Sequence, residues 1–235
     1  MPNELLLILM TIILYASVVL FYRFFNVQGL YCWTVLATIS ANIEVLILVD
    51  AFGMEQTLGN ILFASTFLVT DILSEIAGRK EATKAVNIGI ITSLAFIIIS
   101  QSWLLYTPNA NDWAFPHIQA IFSNTPRVML AGLIVYAIVQ RFDVWLYHRW
   151  WQWSDKLSGN SRRFLWLRNN GSTLISQLLN ALLFTFGAFW GTYTFPTLLS
   201  IVWASYVIFI FTSLADTPAV YIARWLKETD RIKAF

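Results

Sequence analysis

The run GNILFASTFLVTDILSEIAGRK (59–80) joins a mostly apolar stretch, which carries two acidic residues, to a basic end. A helix that spans a lipid bilayer needs about 20 predominantly apolar residues. Gly78 favours the end of such a helix, and Arg79 and Lys80 favour a position at the cytoplasmic surface. The run therefore predicts a transmembrane helix with carboxyl groups on its side chains.

The rest of the chain has the composition of a membrane protein. Of 235 residues, 58% are hydrophobic and 12% are charged, whereas soluble domains carry roughly 25% charged residues. Cys32 is the one cysteine, which excludes an intramolecular disulfide and a cysteine-ligated cluster. We predict an all-α polytopic helical bundle that forms a single membrane domain over residues 1–235. Its seven predicted spans are residues 4–22, 30–49, 57–76, 86–106, 127–147, 172–193 and 196–221.

The basic residues predict the orientation of this bundle. If seven spans alternate, thirteen of the 15 Lys and Arg residues fall on one side, and the loops 50–56, 107–126 and 194–195 on the other side contain none. Cytoplasmic loops retain Lys and Arg. We therefore expect a multi-pass protein of the inner membrane with its N-terminus outside and its C-terminus in the cytoplasm. The segment MPNE before the first span carries no Lys or Arg, which favours a retained helix over a cleaved signal.

Ionisable side chains inside the predicted spans are the best indication of function. Each costs about 2.5–3.5 kcal/mol at the centre of a span on insertion scales, so such groups tend to face a cavity or a partner. Asp71 and Glu75 are four residues apart and project from one helical face. They predict a paired acidic site beside a pathway, unless they lie at a helix end in cytoplasmic water. The spans also carry the ionisable or amide residues Asn42, Glu44, Arg127, Arg141, Asp143, Gln177, Asn180 and Asp216.

Several of these residues have two interpretations. Arg127 opens the fifth span from outside, where either a partner carboxylate, a ligand or simple snorkelling to headgroups explains a positive charge. Arg141 and Asp143 lie near the predicted inner end and are interpreted as topological anchors. Gln177 and Asn180 are three residues apart, and their amides either bind neighbouring helices or recognise a flat heterocycle.

Sequence motifs of several enzyme classes are missing. The chain has no GxxxxGK[ST], HExxH or GxSxG pattern, so we predict no enzymatic activity, no cofactor and no catalytic metal. An intramembrane hydrolase that uses Asp71 and Glu75 is a rival hypothesis without a specified nucleophile. The loop at 149–171 interleaves Trp with Arg, which predicts contact with lipid headgroups rather than nucleic acid.

The segment 59–89 resembles a known family, the queuosine-precursor transporters of the vitamin-uptake group. The resemblance rests on an apolar helix followed by a short basic turn, and it extends over about residues 41–221. The helix and turn contribute Phe67, Leu68, Thr70, Asp71, Glu75, Gly78, Arg79 and Lys80. Further matches are Asn42, Arg127, AIVQRFDV (137–144), WLRNNGSTLISQ (166–177) and DTPAVY (216–221).

The resemblance implies a six-span core, here with one additional N-terminal span, and import of a 7-deazaguanine such as preQ0, preQ1 or queuine for salvage into the queuosine of tRNA. Asp71 or Glu75 would bind the guanine-like edge, and Asn42, Gln177 and Asn180 would complete the hydrogen bonds. Arg127 and Asp216 would act as a gate or as structural charges. The partners implied are a small planar heterocycle and the bilayer, while a homodimer and an external ATPase stay open.

Three positions depart from the family pattern. Ala64 stands where many members have Pro, Asn180 stands where Asp is usual, and Phe209 stands where many members have Lys. The absence of both the Asp and the Lys suggests that an ion pair of the family is missing here, because either charge alone would be buried without a partner. A different substrate within the family, a carrier of another vitamin or nucleobase, and a sensor subunit are therefore alternative functions. The energy source is not evident from the residues.

Overall fold

The computed structural model describes residues 2–123, 126–158 and 164–229. These ranges form seven α-helices and one short two-stranded antiparallel sheet. Six of the helices are long and apolar enough to cross a membrane, so the predicted helical membrane bundle is confirmed. The elements are α1 (Asn3–Glu44), β1 (Leu48–Ala51), β2 (Met54–Thr57), α2 (Gly59–Ile76), α3 (Arg79–Trp103), α4 (Phe115–Phe122), α5 (Pro126–Ser158), α6 (Leu165–Phe189) and α7 (Phe195–Glu228).

The first helix is folded back on itself at Asn26, whose backbone is not helical (φ 54°, ψ −144°). The amide of Asn3 donates a hydrogen bond of 2.9 Å to the carbonyl oxygen of Asp50, which follows the second arm. The rings of Phe21 and Trp33 lie 5.4 Å apart across the turn. A straight helix of 42 residues would be about 63 Å long, which these contacts exclude. The helix α1 therefore consists of two antiparallel arms, residues 3–25 and 27–44.

The turn between the two arms depends on a glycine. A Cβ atom on Gly29 would lie 2.0 Å from the carbonyl oxygen of Phe21, a distance that no real contact allows. The side chain of Asn26 accepts a 2.8 Å hydrogen bond from the Val27 amide, and Asn tolerates positive φ better than most residues. These two residue types permit a very tight reversal.

Contacts between loops sort the helix ends into two groups. At the hairpin end, defined by β1 and β2, Gln101 donates to the Phe122 carbonyl and Arg127 donates to the Trp190 carbonyl. At the opposite end, which we call the basic end, Glu75 of α2 pairs with arginines of α6 and α7. Successive segments therefore run in alternating directions, as seven spans would. That all seven cross a bilayer, and in which orientation, stays a prediction.

The observed elements differ from the predicted boundaries in two ways. The second predicted span, 30–49, ends at Glu44, and the predicted loop 50–56 belongs to the hairpin of β1 and β2. Positive φ angles at Phe52 and Gly53 form the tight connection that such a hairpin needs, and this short hairpin is an addition to the predicted all-α bundle. Several helices also extend beyond their apolar stretches, because backbone hydrogen bonding continues into the polar membrane interface.

The helix α2 lies at the centre of the bundle. It packs against α1, α3, α5 and α7, and 15 of its 18 residues are buried. The outer helices instead present large apolar side chains such as Ile91 and Phe211, each 68% exposed, which suits contact with lipid tails. The basic residues Arg162, Arg163, Arg231 and Lys233, which helped to predict the orientation, lie outside the described residues.

Labelling of single cysteines tests the seven-span topology. In a Cys32→Ser background, we expect a membrane-impermeant maleimide to label Asn3→Cys and Asn111→Cys in intact cells, since both would face outward. Lys80→Cys, at the basic end, should react only after permeabilisation and serves as the control. If Asn3→Cys instead reacted only in permeabilised cells while Asn111→Cys reacted at once, α1 would cross the membrane a single time.

Candidate functional site

A cavity opens among six of the helices and extends inward from the hairpin end. Its empty space amounts to about 620 Å³ when the open mouth and the solvent in it are counted. Asn60 lies in the first turn of α2, whereas Phe209 lies about 21 Å along α7 at 1.5 Å per residue, so the cavity reaches towards the middle of the bundle. Its aromatic lining residues are Phe63, Tyr136, Phe184 and Phe209, and its amide lining residues are Asn42, Asn60 and Asn180.

This lining combines flat apolar surfaces with a few polar groups. The ring of Tyr136 packs directly on Gly89, where a Cβ atom would lie 2.1 Å from the tyrosine oxygen. Phe63 packs edge-on to Tyr136, with ring centroids 6.0 Å apart. Pockets for small molecules commonly pair such apolar walls with a small number of placed hydrogen-bonding groups. The cavity therefore suits a flat ligand with polar atoms on one edge.

Two of the predicted binding residues, Asn42 and Asn180, line the cavity. The Asn42 amide nitrogen donates to the Thr38 carbonyl of its own helix at 2.7 Å. Within the described ranges, the Asn180 amide has no hydrogen-bond partner. Phe209 lines the same cavity as Asn180, so the two linked departures from the family pattern lie in one cavity wall.

Between the cavity and the basic end lies a row of polar side chains, which we call the polar track. Gln140 of α5, which is fully buried, donates to the Thr66 hydroxyl at 2.7 Å and accepts from the Thr70 hydroxyl at 3.2 Å. On α6, Gln177 and then Thr173 follow Asn180 at intervals of three or four residues, which places them on one helical face. The Oε1 atom of Gln177 is buried without a partner. Gln140 was noted in the sequence only through the 137–144 match.

The track leads to three buried carboxyls, Asp71, Asp143 and Asp216, which we call the acid cluster. Each side chain is at most 1% exposed, and Asp71 is close enough to the other two to repel them electrostatically. Asp71 accepts a 2.9 Å hydrogen bond from Thr173, and Asp216 accepts one of 2.7 Å from Asn169. Both oxygens of Asp143 and one of Asp71 have no partner.

The interpretation of Asp143 as an anchor at the membrane surface was therefore wrong. Asp143 is fully buried, whereas Arg141 is exposed and donates to Asn87 at 3.0 Å. Residues two apart on a helix point about 200° apart, because each residue turns the helix by about 100°. The interpretation treated the two as a pair, but they belong to opposite faces.

Glu75 lies one helical turn closer to the basic end than Asp71, and its carboxylate is paired with two arginines. Arg168 contacts both of its carboxylate oxygens, with a shortest distance of 2.6 Å, and Arg224 contacts it at 3.1 Å. The Tyr147 hydroxyl donates a further hydrogen bond of 2.9 Å. Since the Glu75 side chain is only 4% exposed, it is not an acid solvated by cytoplasmic water. Its contacts are those of a buried structural ion pair.

Arg168 was predicted to lie in an inner loop, but its side chain is completely buried. Besides Glu75, the guanidinium stacks over the Trp151 ring, 4.4 Å from the ring centroid. The sequence counted it as a surface charge because it follows an Arg-rich and Trp-rich loop. The nearby matched segment, 166–177, was the signal that could have found its interior role.

Arg127 lies apart from the acid cluster, at the hairpin end. It donates to the carbonyls of Trp190 at 2.6 Å and Gly187 at 3.4 Å, which is a favourable place for a cation at a helix C-terminus. Within the described part of the chain its partners are thus backbone carbonyls rather than a carboxylate. Its neighbour Val128 lines the cavity, and a gating role for Arg127 stays a prediction.

The site geometry can be set beside known proteins. The family described as "Putative vitamin uptake transporter" matches residues 57–223. A "Probable queuosine precursor transporter" of Bacillus subtilis (strain 168) is 36% identical over 230 residues, which cover 98% of each chain. A "Queuosine precursor transporter" of Escherichia coli (strain K12) is 28% identical over 151 residues, 64% of this chain and 63% of that protein. No solved structure matches the chain.

The variant Glu75→Gln tests the structural role of the ion pair. Breaking a buried pair costs about 3–5 kcal/mol, so the melting temperature in detergent should fall by about 10 °C. Glu228→Gln removes the exposed partner of the same Arg224 and should change it by less than about 3 °C. An unchanged melting temperature for Glu75→Gln would show that the pair does not hold the helices together.

Proposed function

The chain belongs to the vitamin uptake transporter family, and we propose that it imports a queuosine precursor, a 7-deazaguanine such as preQ0, preQ1 or queuine. The two relatives named as queuosine precursor transporters support this substrate class. The observation that carries the proposal is the cavity, which is open at one end and lined by rings and amides.

The shape and polarity of a 7-deazaguanine suit this lining. Its fused ring is flat and would stack against the aromatic walls, whose apolar members are Phe63, Phe184 and Phe209. Its edge presents adjacent N–H donors and a carbonyl acceptor, which an amide can satisfy with both of its polar atoms. We assign that edge to Asn180, with Asn42 as a second amide of the lining.

The polar groups beyond Asn180, further from the cavity mouth, indicate the path along which the ligand would move inward. The buried, unpartnered Oε1 of Gln177 lies on the same face of α6 as Asn180 and would accept an N–H bond from a ligand seated at the cavity floor. Asp71 lies deeper still, so it would meet the ligand after inward movement. Glu75 is already bound to two arginines and is therefore left out of the proposed binding set.

A homodimer and an external ATPase form no part of the proposal. We further propose that the protein is not an enzyme, that it lies in the inner membrane, and that the hairpin end faces outward. In this orientation the cavity is open to the side from which a precursor arrives.

Uptake measurements in queuosine-auxotrophic cells test the assignment of Asn180. Asn180→Leu removes both polar atoms from the cavity wall at similar volume, and uptake of labelled preQ0 should fall by about tenfold or more, the effect of 1.4 kcal/mol in binding. Asn87→Leu makes the same change on α3 outside the cavity and should retain uptake. Equal insertion of both variants is checked by quantitative blotting.

Competition separates the proposal from a carrier of another vitamin or nucleobase. Excess preQ1 or queuine should abolish the uptake of labelled preQ0, while adenine, thymine and thiamine should not. If one of these other heterocycles competed as strongly as preQ1, the substrate assignment would be wrong. Normal uptake by Asn180→Leu would reject the proposed binding wall.

A further inference from the structure

The acid cluster contains three acidic groups whose negative charges, if all were ionised, the surrounding protein would not neutralise. Within the described ranges, no Lys or Arg forms an ion pair with Asp71, Asp143 or Asp216; the cations at this depth pair with Glu75 instead. Carboxylates buried at 0–1% exposure are strongly disfavoured as ions unless a partner compensates them. All three therefore cannot be ionised together in this conformation.

The groups that face the cluster from each neighbouring helix do not change this balance. From α2, Glu75 adds another negative charge, which Arg168 of α6 and Arg224 of α7 neutralise. From α1, Tyr15 lies near Asp216 and donates its hydroxyl to the Thr212 carbonyl at 3.2 Å. Within α5, Tyr147 donates to Glu75, and Arg79 of α3 lies near His148. None of these groups gives the cluster a counter-charge.

Asp143 is the member with the least support for a negative charge. Asp71 and Asp216 each accept one hydrogen bond, but neither oxygen of Asp143 has a partner. The Ser176 hydroxyl of α6 is fully buried and lies beside Asp143, but the two groups form no hydrogen bond of normal geometry. A proton on Asp143 would remove a charge that no partner compensates and would let this carboxyl donate a hydrogen bond as well as accept one.

A metal ion fits this site poorly. Among the described residues, no three His, Cys, Asp or Glu side chains come together closely enough to hold a metal ion. Na⁺ and similar cations need several oxygen atoms converging on one point, as the larger hard cations do. A proton, in contrast, needs only a single carboxyl oxygen and no such convergence.

The cluster is also connected to the substrate cavity. Gln140 links Thr66 and Thr70 of α2, one residue from Asp71. Thr173, which donates to Asp71, lies seven residues from Asn180 of the cavity wall, about 10 Å along α6. Two polar tracks therefore run between the ligand space and the acids.

We propose that the acid cluster, with Asp143 as its primary site, binds and releases the proton that couples import to a transmembrane proton gradient. This inference rests on the proposed function. A proton that enters from outside converts one carboxylate of the cluster to a carboxylic acid, and the same proton leaves to the cytoplasm when the cluster opens inward. No other bond forms or breaks.

Proteoliposomes that contain the purified chain test this coupling. The probe is labelled preQ0, which carries no net charge, and valinomycin with equal K⁺ on both sides removes the membrane potential. An outside pH one unit below the inside should produce about tenfold accumulation for one proton per substrate, since a factor of ten in concentration corresponds to one pH unit. Substrate addition should also acidify the interior, as reported by entrapped pyranine.

Variants of two aspartates on the same helix separate coupling from transport. Asp143→Asn should lose the accumulation and the pyranine signal, while exchange of labelled for unlabelled preQ0 without a gradient remains measurable. Asp155→Asn, on the exposed part of α5, should retain all three. Asp143→Glu, which can still be protonated, should recover part of the accumulation.

The outcomes distinguish the two proposals. Absence of preQ0 exchange by the unaltered protein would reject the proposed function itself. Exchange without any response to a pH gradient, or accumulation driven by a Na⁺ gradient, would overturn proton coupling and leave the substrate assignment intact. Should Asp143→Asn fail to insert, the pyranine measurement on the unaltered protein decides: preQ0 entry without acidification overturns the proposal.

Discussion

The arrangement of charge inside the bundle depends on the ion pair between Glu75 and Arg168. A buried carboxylate and a buried guanidinium are each costly alone, and their bidentate contact at 2.6 Å offsets that cost. Arg224 and Tyr147 join the same carboxylate, so helices α2, α5, α6 and α7 meet at one point. This contact closes the basic end of the bundle and leaves the hairpin end open for the cavity.

The same pairing divides the polar interior into two zones with different chemistry. At the basic end, positive and negative charges are matched and held in fixed geometry. One turn higher along α2, Asp71 begins a zone of carboxyls whose oxygens are partly without partners. The ion-paired groups at the basic end already have their partners, whereas some carboxyl oxygens next to them do not. The oxygens without partners are the ones that a moving ligand or proton can contact, and this is a physical basis for a carrier.

Much of this organisation could be predicted from the sequence. The apolar segments and the spacing of Asp71 and Glu75 indicated a helical membrane bundle with acids on one face of α2, and both features are present. The same spacing could not show that the two acids differ in role, because the partners of Glu75 come from α6 and α7, far away in the chain. Asp143 was misplaced for a similar reason, since hydropathy locates a helix but not the direction in which each side chain points. The cavity could not be predicted either, because its walls come from six helices.

The folded-back first helix has a consequence for where the cavity can be altered. Both arms of α1 precede residues 57–223, which the family model matches, and the second arm supplies Thr38, Ala41 and Asn42 to the cavity. These residues lie near the hairpin end, whereas Glu75 and its arginines lie at the basic end. Substitutions at the three positions can therefore reshape one cavity wall while the buried ion pair stays in place.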